Sequence, residues 1–222
     1  MAKSLLTKNQ SEFLNFFGSN LELNKNFYLT GGTALSEFYL QHRFSEDLDF
    51  FNENEFLQTD ITPFVKKSQS ILGFEKFDYQ NSFNRNIYHL IFPNSNFLKV
   101  EFTYFPFTQI ERPKEKKGVL VDSLSDIAVN KVFTIHQKPR GRDYFDVYMI
   151  LKKENWSLEE MIMKAKIKFD TRVDPLQLGS QLIKVKDLLD DPILKDSTVK
   201  RKDVEDFFLD EARKLEDLVL KK

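Results

Sequence analysis

The chain has no cysteine, which removes disulfides, thiolate metal sites and cysteine nucleophiles. Any metal must sit on oxygen or on the three histidines. Charge of one sign is not in excess either: 33 Lys and Arg stand against 34 Asp and Glu, a net charge of -1. The molecule therefore lacks the basic footprint of a dedicated nucleic-acid coat protein, although a local basic groove is compatible with that balance. No apolar run approaches the roughly 20 residues that a membrane helix needs. The N-terminal MAKSLLTKNQSEFLNFFG has neither the apolar core nor the cleavage site of a signal peptide. The expectation is a cytoplasmic protein with no membrane partner. Internal repeats and low-complexity tracts are also missing. What is present is 222 residues, 41% hydrophobic and 30% charged, enough for one sizeable core or two small ones without covalent staples. The 23 phenylalanines read as core filling.

Apolar residues Phe13, Leu14, Phe16, Phe17 and Leu21 fall near helical spacing, so a helix is predicted from Thr7 to about Leu21. NFYLT then reads as a short buried strand, Gly31-Gly32 as a turn, TALSEFYLQHR as a helix with Leu35, Phe38 and Tyr39 on one face, and DLDFF as a strand. A helix is predicted from Glu55 to Leu72, with Pro63 at its start. FEKFDYQ, RNIYHLIF and FLKVEFTYF alternate, with turn signals at Asn81-Ser82 and Pro93-Asn94-Ser95, and predict a meander that makes the sheet mixed. The charged ERPKEKKGVLVD reads as a connector. Beyond it SLSDIAVNKVFTIHQ, GRDYFDVYMILKK, SLEEMIMKAKIKF, QLGSQLIKVKDLLD and VEDFFLDEARKLEDLVLKK are helical in pattern. The expected fold class is α+β: a mixed β-sheet with flanking helices over 1–112, then a mainly helical C-terminal domain over 122–222 that completes the active site.

Strand side chains alternate, so Asp47 and Asp49 project from one face while Leu48 and Phe50 project from the other. Two like charges this close repel unless a cation sits between them, and the usual occupant is a divalent metal with oxygen ligands. The bland alternative is a pair of solvated acids at a strand end. In FLKVEFTYF, Lys99, Glu101 and Thr103 share a face, and Glu101 can complete a metal triad if its strand lies beside that of Asp47 and Asp49; alternating charges can equally mark the wet face of a sheet. Gly31 and Gly32 let backbone approach a ligand, and the helix they open offers free N–H groups to a phosphate. Glycine turn and Asp-x-Asp together suit a triphosphate, which needs an anion cradle and bridging metal ions.

YLTGGTALSEFYLQHRFSEDLDFF resembles the N-terminal signature of the AbiEii-type nucleotidyltransferase toxins, a branch of the DNA-polymerase-beta-like nucleotidyltransferase superfamily. That superfamily's pattern is a Gly-Gly or Gly-Ser turn, a helix, an Asp-x-Asp strand and a third acid on a later strand, for which Glu101 is the match. The resemblance resumes at DIAVNKVFTIHQKPRGRDYFDVYMI, similar to the family's lysine motif and Arg-Asp-x-x-Asp helix. It implies a nucleotidyltransferase fold and Mg2+ held by Asp47, Asp49 and Glu101. It also implies a triphosphate cradled by Gly31, Gly32 and Thr33, and transfer of NMP from an NTP to an acceptor, tRNA or protein. Arg43 and Ser45 match the family's Arg-x-Ser-x-Asp-x-Asp form, which implies that both are nucleotide-binding residues, with Ser45 shaping the turn or touching a phosphate. The implied biological role is the toxin of a toxin–antitoxin or phage-defence system, with a separately encoded antitoxin as partner.

The residues of the second block carry a reading of their own. Leu124, Ile127, Ala128 and Ile135 form an apolar stripe, and Lys131 falls within it. A lysine there needs an internal carboxylate or a bound phosphate, unless it snorkels at the domain edge; on a phosphate, Lys131 is a catalytic residue that neutralises charge developing in the transition state. Asp143 and Asp146 share a helix face among aromatic residues; one can capture Lys131 or Arg142, and one can act as general base on the incoming hydroxyl. Their alternative role, favourable placement at a helix N-terminus, suits Asp143 better than Asp146. Arg140 and Arg142 are candidate phosphate contacts. His42, His89 and His136 have no partner at metal-ligand spacing and read as structural or surface. Two rival functions stand beside this one. A haloacid-dehalogenase-like phosphatase would leave the Gly-Gly turn idle, and a catalytically inactive nucleotide-binding or interaction module of the same fold would leave the acids idle.

Overall fold

The computed structural model describes residues 4–93, 96–188 and 199–220, with side chains as far as Glu216. The chain forms two compact units: Met1–Tyr39 with Ser45–Ser123, and Leu40–Phe44 with Leu124–Lys222. Among the described residues no helix is long and apolar enough to cross a membrane.

The first unit is built on a mixed seven-stranded sheet in the order Lys76–Ser82, Arg85–Ile91, Phe97–Tyr104, Leu48–Asn52, Tyr28–Thr30, Val119–Val121 and Lys114–Lys116. Its helix α1 (Lys8–Ser19) starts at a reciprocal cap in which Thr7 and Gln10 satisfy each other's backbone N–H. After α2 (Leu21–Asn26), strand β1 (Tyr28–Thr30) runs into α3 (Gly31–Leu35). The expected longer helix does not continue in α form: Ser36–Leu40 is a π-helical turn, which buries Ser36 and Glu37 and leaves Phe38 and Tyr39 half-buried. β2 (Leu48–Asn52) follows, then α4 (Gln58–Leu72), in which Pro63 lies inside the helix and not at its start.

The meander is β3 (Lys76–Ser82), β4 (Arg85–Ile91) and β5 (Phe97–Tyr104). Its first turn is at Phe83-Asn84, two residues beyond the expected Asn81-Ser82, with Phe83 at φ 54 and almost wholly exposed. At the second expected turn Pro93 begins the bend, while Asn94 and Ser95 lie outside the described residues. The connector is itself structured, as the hairpin of β6 (Lys114–Lys116) and β7 (Val119–Val121), and β7 pairs in parallel with β1.

One face of the sheet buries the core. Phe50 of β2 and Phe102 of β5 stack with ring centroids 5.2 Å apart. Phe13 and Phe17 from α1 and Phe64 from α4 close over Phe50 and each other, so five of the phenylalanines fill one core.

The second unit packs α5 (Leu124–Gln137) against α6 (Gly141–Glu154), α7 (Leu158–Lys168) and α8 (Pro175–Ile183). The stretch predicted as one helix after Pro175 breaks into α8 and a single turn, α9 (Val185–Leu188); its last two residues lie outside the described ones. α10 (Arg201–Leu220) lies on α8 and sends Phe208 against Tyr144 of α6. An ion pair with both side chains fully buried, Lys168 to Asp126 at 2.6 Å, ties α7 to α5.

Candidate active site

β2 and β5 run parallel with Asp49 opposite Glu101. Residues level with each other on parallel neighbours point to the same side, so both carboxylates leave the face opposite the Phe50–Phe102 core. Asp47 precedes β2 by one residue and shares that face. The strand condition set for Glu101 by the sequence is met. Lys99 sits among these acids, its Nζ 3.2 Å from Asp47 Oδ2 and 3.3 Å from Glu101 Oε2. Thr103 donates to Glu101 Oε1 at 3.0 Å, and Arg85 lies 3.6 Å from the same oxygen. Burial works against the Lys99 charge, but Asp49, Asp47 and Glu101 outweigh it and hold the ammonium's pKa above its usual value.

The glycine turn serves this cluster directly. Gly31 adopts φ +72, and a Cβ there would fall on Asp49 Oδ2, so both backbone conformation and space require glycine. Gly32 is buried in the first turn of α3. Thr33 turns its hydroxyl to the backbone carbonyl of Asp47 and so fixes the first acid in place. Ser45 accepts a hydrogen bond at its own carbonyl from Gln10 Nε2 at 2.9 Å. Asp122, at the end of the misread connector, accepts from the Thr30 hydroxyl at 2.7 Å while its own carbonyl receives Tyr39 Oη at 2.6 Å. Since Thr30 pairs with Asp49 across β1 and β2, this buried contact anchors the strand next to the acids.

In chemistry the oxygen donors of Asp47, Asp49 and Glu101 fit a hard divalent cation. Their attraction for the Lys99 ammonium shows that positive charge is favoured there. As they stand, no three acidic or histidine side chains among the described residues form a ready-made metal cage. A cleft of about 840 Å³ in the first unit lies elsewhere: Asn20, Asn26, Phe27, Asn52 and Lys67 line it, and none of the three acids does.

The remaining predicted residues gather in the second unit. Lys131 of α5 lies 2.8 Å from both Asp143 Oδ1 and Asp146 Oδ2 on α6. Arg43 holds Asp146 with two donors, Nε at 2.7 Å and one terminal nitrogen at 2.8 Å, and gives the other to the Phe44 carbonyl. His42 Nε2 adds a contact of 2.7 Å to Asp146 Oδ1. Burial pushes the Asp146 carboxyl up, yet Lys131 and Arg43 together keep it well below the ordinary carboxylate range. Asp143 is likewise held low against its burial by Lys131 and Arg140, and it caps α6 by accepting the Arg140 backbone N–H at 3.1 Å. Of the two partners the sequence allowed Lys131, the structure supplies carboxylates, and Arg43, expected to bind nucleotide, is turned to Asp146. Sequence reading did not single out Lys99, Asp122 or the His42–Asp146 contact. Lys99 had a signal, because strand alternation already put it on the face of Glu101.

A mixed sheet carrying paired acids on adjacent strands beside a glycine turn is the architecture of a nucleotidyltransferase. Two solved structures share the fold: a Helicobacter pylori protein described as a candidate nucleotidyltransferase, with TM-score 0.61, 18% identity and 97% of this chain matched to 98% of that one, and JHP933 from Helicobacter pylori, with TM-score 0.59, 18% identity and coverages of 97% and 95%. The protein aq_aa25 of Aquifex aeolicus (strain VF5), itself uncharacterized, is 29% identical over 207 residues, covering 91% of this chain and 94% of its own. Residues 16–217 match the model of the family described as nucleotidyl transferase AbiEii toxin, type IV TA system, and the chain belongs to that family.

Proposed function

We propose that this protein transfers NMP from an NTP to an acceptor hydroxyl on tRNA or protein, in the cytoplasm, as the toxin of a toxin–antitoxin or phage-defence pair silenced by a cognate antitoxin. The observation that carries the site is the level placement of Asp49 and Glu101 on neighbouring parallel strands, with Asp47 beside them. These three residues would hold Mg2+, which supplies charge neutralisation on the triphosphate and a more acidic acceptor hydroxyl. The acceptor oxygen bonds to the α-phosphorus in line with the departing bridge oxygen, the acceptor's hydroxyl proton passes to water, and pyrophosphate leaves.

Gly31 keeps side-chain bulk away from Asp49 and leaves room there for the triphosphate, with the buried Gly32 behind it in the turn; Thr33 steadies Asp47 through its carbonyl. Asp143 and Asp146 are poor general bases as placed, because neighbouring cations lower their proton affinity. We assign them, with Lys131 and Arg43, to positioning: they hold the segment Leu40–Phe44, which leads into Ser45 and Asp47, on the second unit's α6.

Incubating the full chain with MgCl2, each α-labelled NTP in turn, and total RNA or total protein should place label on one acceptor class. EDTA should prevent it. Absence of label in every arm, with the protein folded, would favour the inactive nucleotide-binding module.

A further inference from the structure

Lys99 approaches the acidic cluster by strand geometry and not by the chance reach of a surface side chain. On β5 it precedes Glu101 by two residues and so shares its face, just as Asp47 precedes Asp49 by two along β2. Its side chain is 25% exposed, and it touches two of the three acids at 3.2 and 3.3 Å. The third acid, Asp49, is the strongest of the charges acting on it. An ammonium so placed relieves the mutual repulsion of the carboxylates. It also takes up carboxylate oxygen atoms that a divalent cation needs. A metal ion and this ammonium repel each other across a few ångströms, so the two occupy the cluster in competition.

We propose that Lys99 is a displaceable counter-ion of the Asp47, Asp49 and Glu101 cluster, offsetting part of its negative charge in the metal-free protein and withdrawing when a divalent cation enters. The inference rests on reading those acids as metal ligands. Lys99 is thus a positioning residue that sets metal affinity, with no requirement that it touch the reacting atoms.

The test is a calorimetric titration of the full chain with Mn2+ in the absence of nucleotide, with melting temperature recorded with and without Mn2+. Lys99→Met and, in case the first is poorly folded, Lys99→Gln should bind Mn2+ at least about tenfold more tightly than wild type. Both should melt lower than wild type without metal and gain more from Mn2+. Adding Asp49→Asn to either should abolish the gain. Affinity equal to or weaker than wild type in both variants overturns the role of Lys99 while leaving the metal site standing, as does a gain that survives Asp49→Asn. No Mn2+ binding by any of the proteins overturns the metal reading, and the inference with it.

Discussion

Asp and Lys side chains cluster in both units of the molecule, in opposite states of balance. On the sheet, Asp47 and Glu101 pair with Lys99, Asp49 stands level with Glu101, and the half-exposed Arg85 reaches Glu101. In the helical unit, Asp143 and Asp146 are both 0% exposed, and Lys131 and Arg43 meet them charge for charge, with His42 and Arg140 adding donors. The sheet cluster is acid-rich and partly open, so a further cation with a phosphate ligand would lower its energy. The helical cluster has already spent its charges on itself, and a ligand could enter only by breaking buried ion pairs. On the proposed reading, similar residues serve as a site in one place and as a fastening in the other.

The largest effect should come from Asp49→Asn. Nucleotide transfer should fall by orders of magnitude while the melting temperature stays level or rises, because one of several repelling carboxylates is neutralised. A steady-state assay in Mg2+ checks it, and wild-type turnover in the variant would remove Asp49 from the metal site. Lys131→Met should do the reverse, leaving two buried carboxylates short of a cation at a cost on the order of 3 kcal/mol. Chemical denaturation reads that loss directly. Gly31→Ala blurs the contrast usefully: strain at φ +72 and the clash with Asp49 should cost about 1–2 kcal/mol and also weaken Mn2+ binding. Tight Mn2+ binding in a folded Gly31→Ala protein would show that the close approach is dispensable.

The smallest effect is in pH. The folded-state pKa values of Asp143 and Asp146 lie below their unfolded ones, so the stability they contribute is fully present above about pH 4 and is lost as pH falls through the lowered values. Unfolding free energy should therefore decline more steeply in that acid range for wild type than for Asp146→Asn.

Much of this was legible in the residues. The Asp-x-Asp strand and the Lys99, Glu101, Thr103 face follow from the two-residue period, and the inward position of Lys131 follows from the helical one. Both patterns depend only on local geometry. What was missed depends on distance along the chain or on edges. The β6 strand reads as linker because Lys114, Glu115 and Lys116 are the charged residues that suit an exposed sheet edge. Asn81 and Ser82 look like turn residues, yet both stay in β3 and Phe83 takes the left-handed position instead. His42 has no neighbour in sequence to betray its role, since its partner Asp146 is 104 residues away. Composition placed acids and lysines in both clusters and could not say which of them had already found each other.

Melting temperature and nucleotide transfer, measured on the same preparations of wild type, Asp49→Asn and Lys131→Met, test the central distinction most directly. The two variants should separate completely: Asp49→Asn stable and inactive, Lys131→Met destabilised by several degrees yet active per folded molecule below its transition. A Lys131→Met protein with wild-type melting temperature and no transfer would contradict the account, and would move the reaction's charge stabilisation onto the lysine.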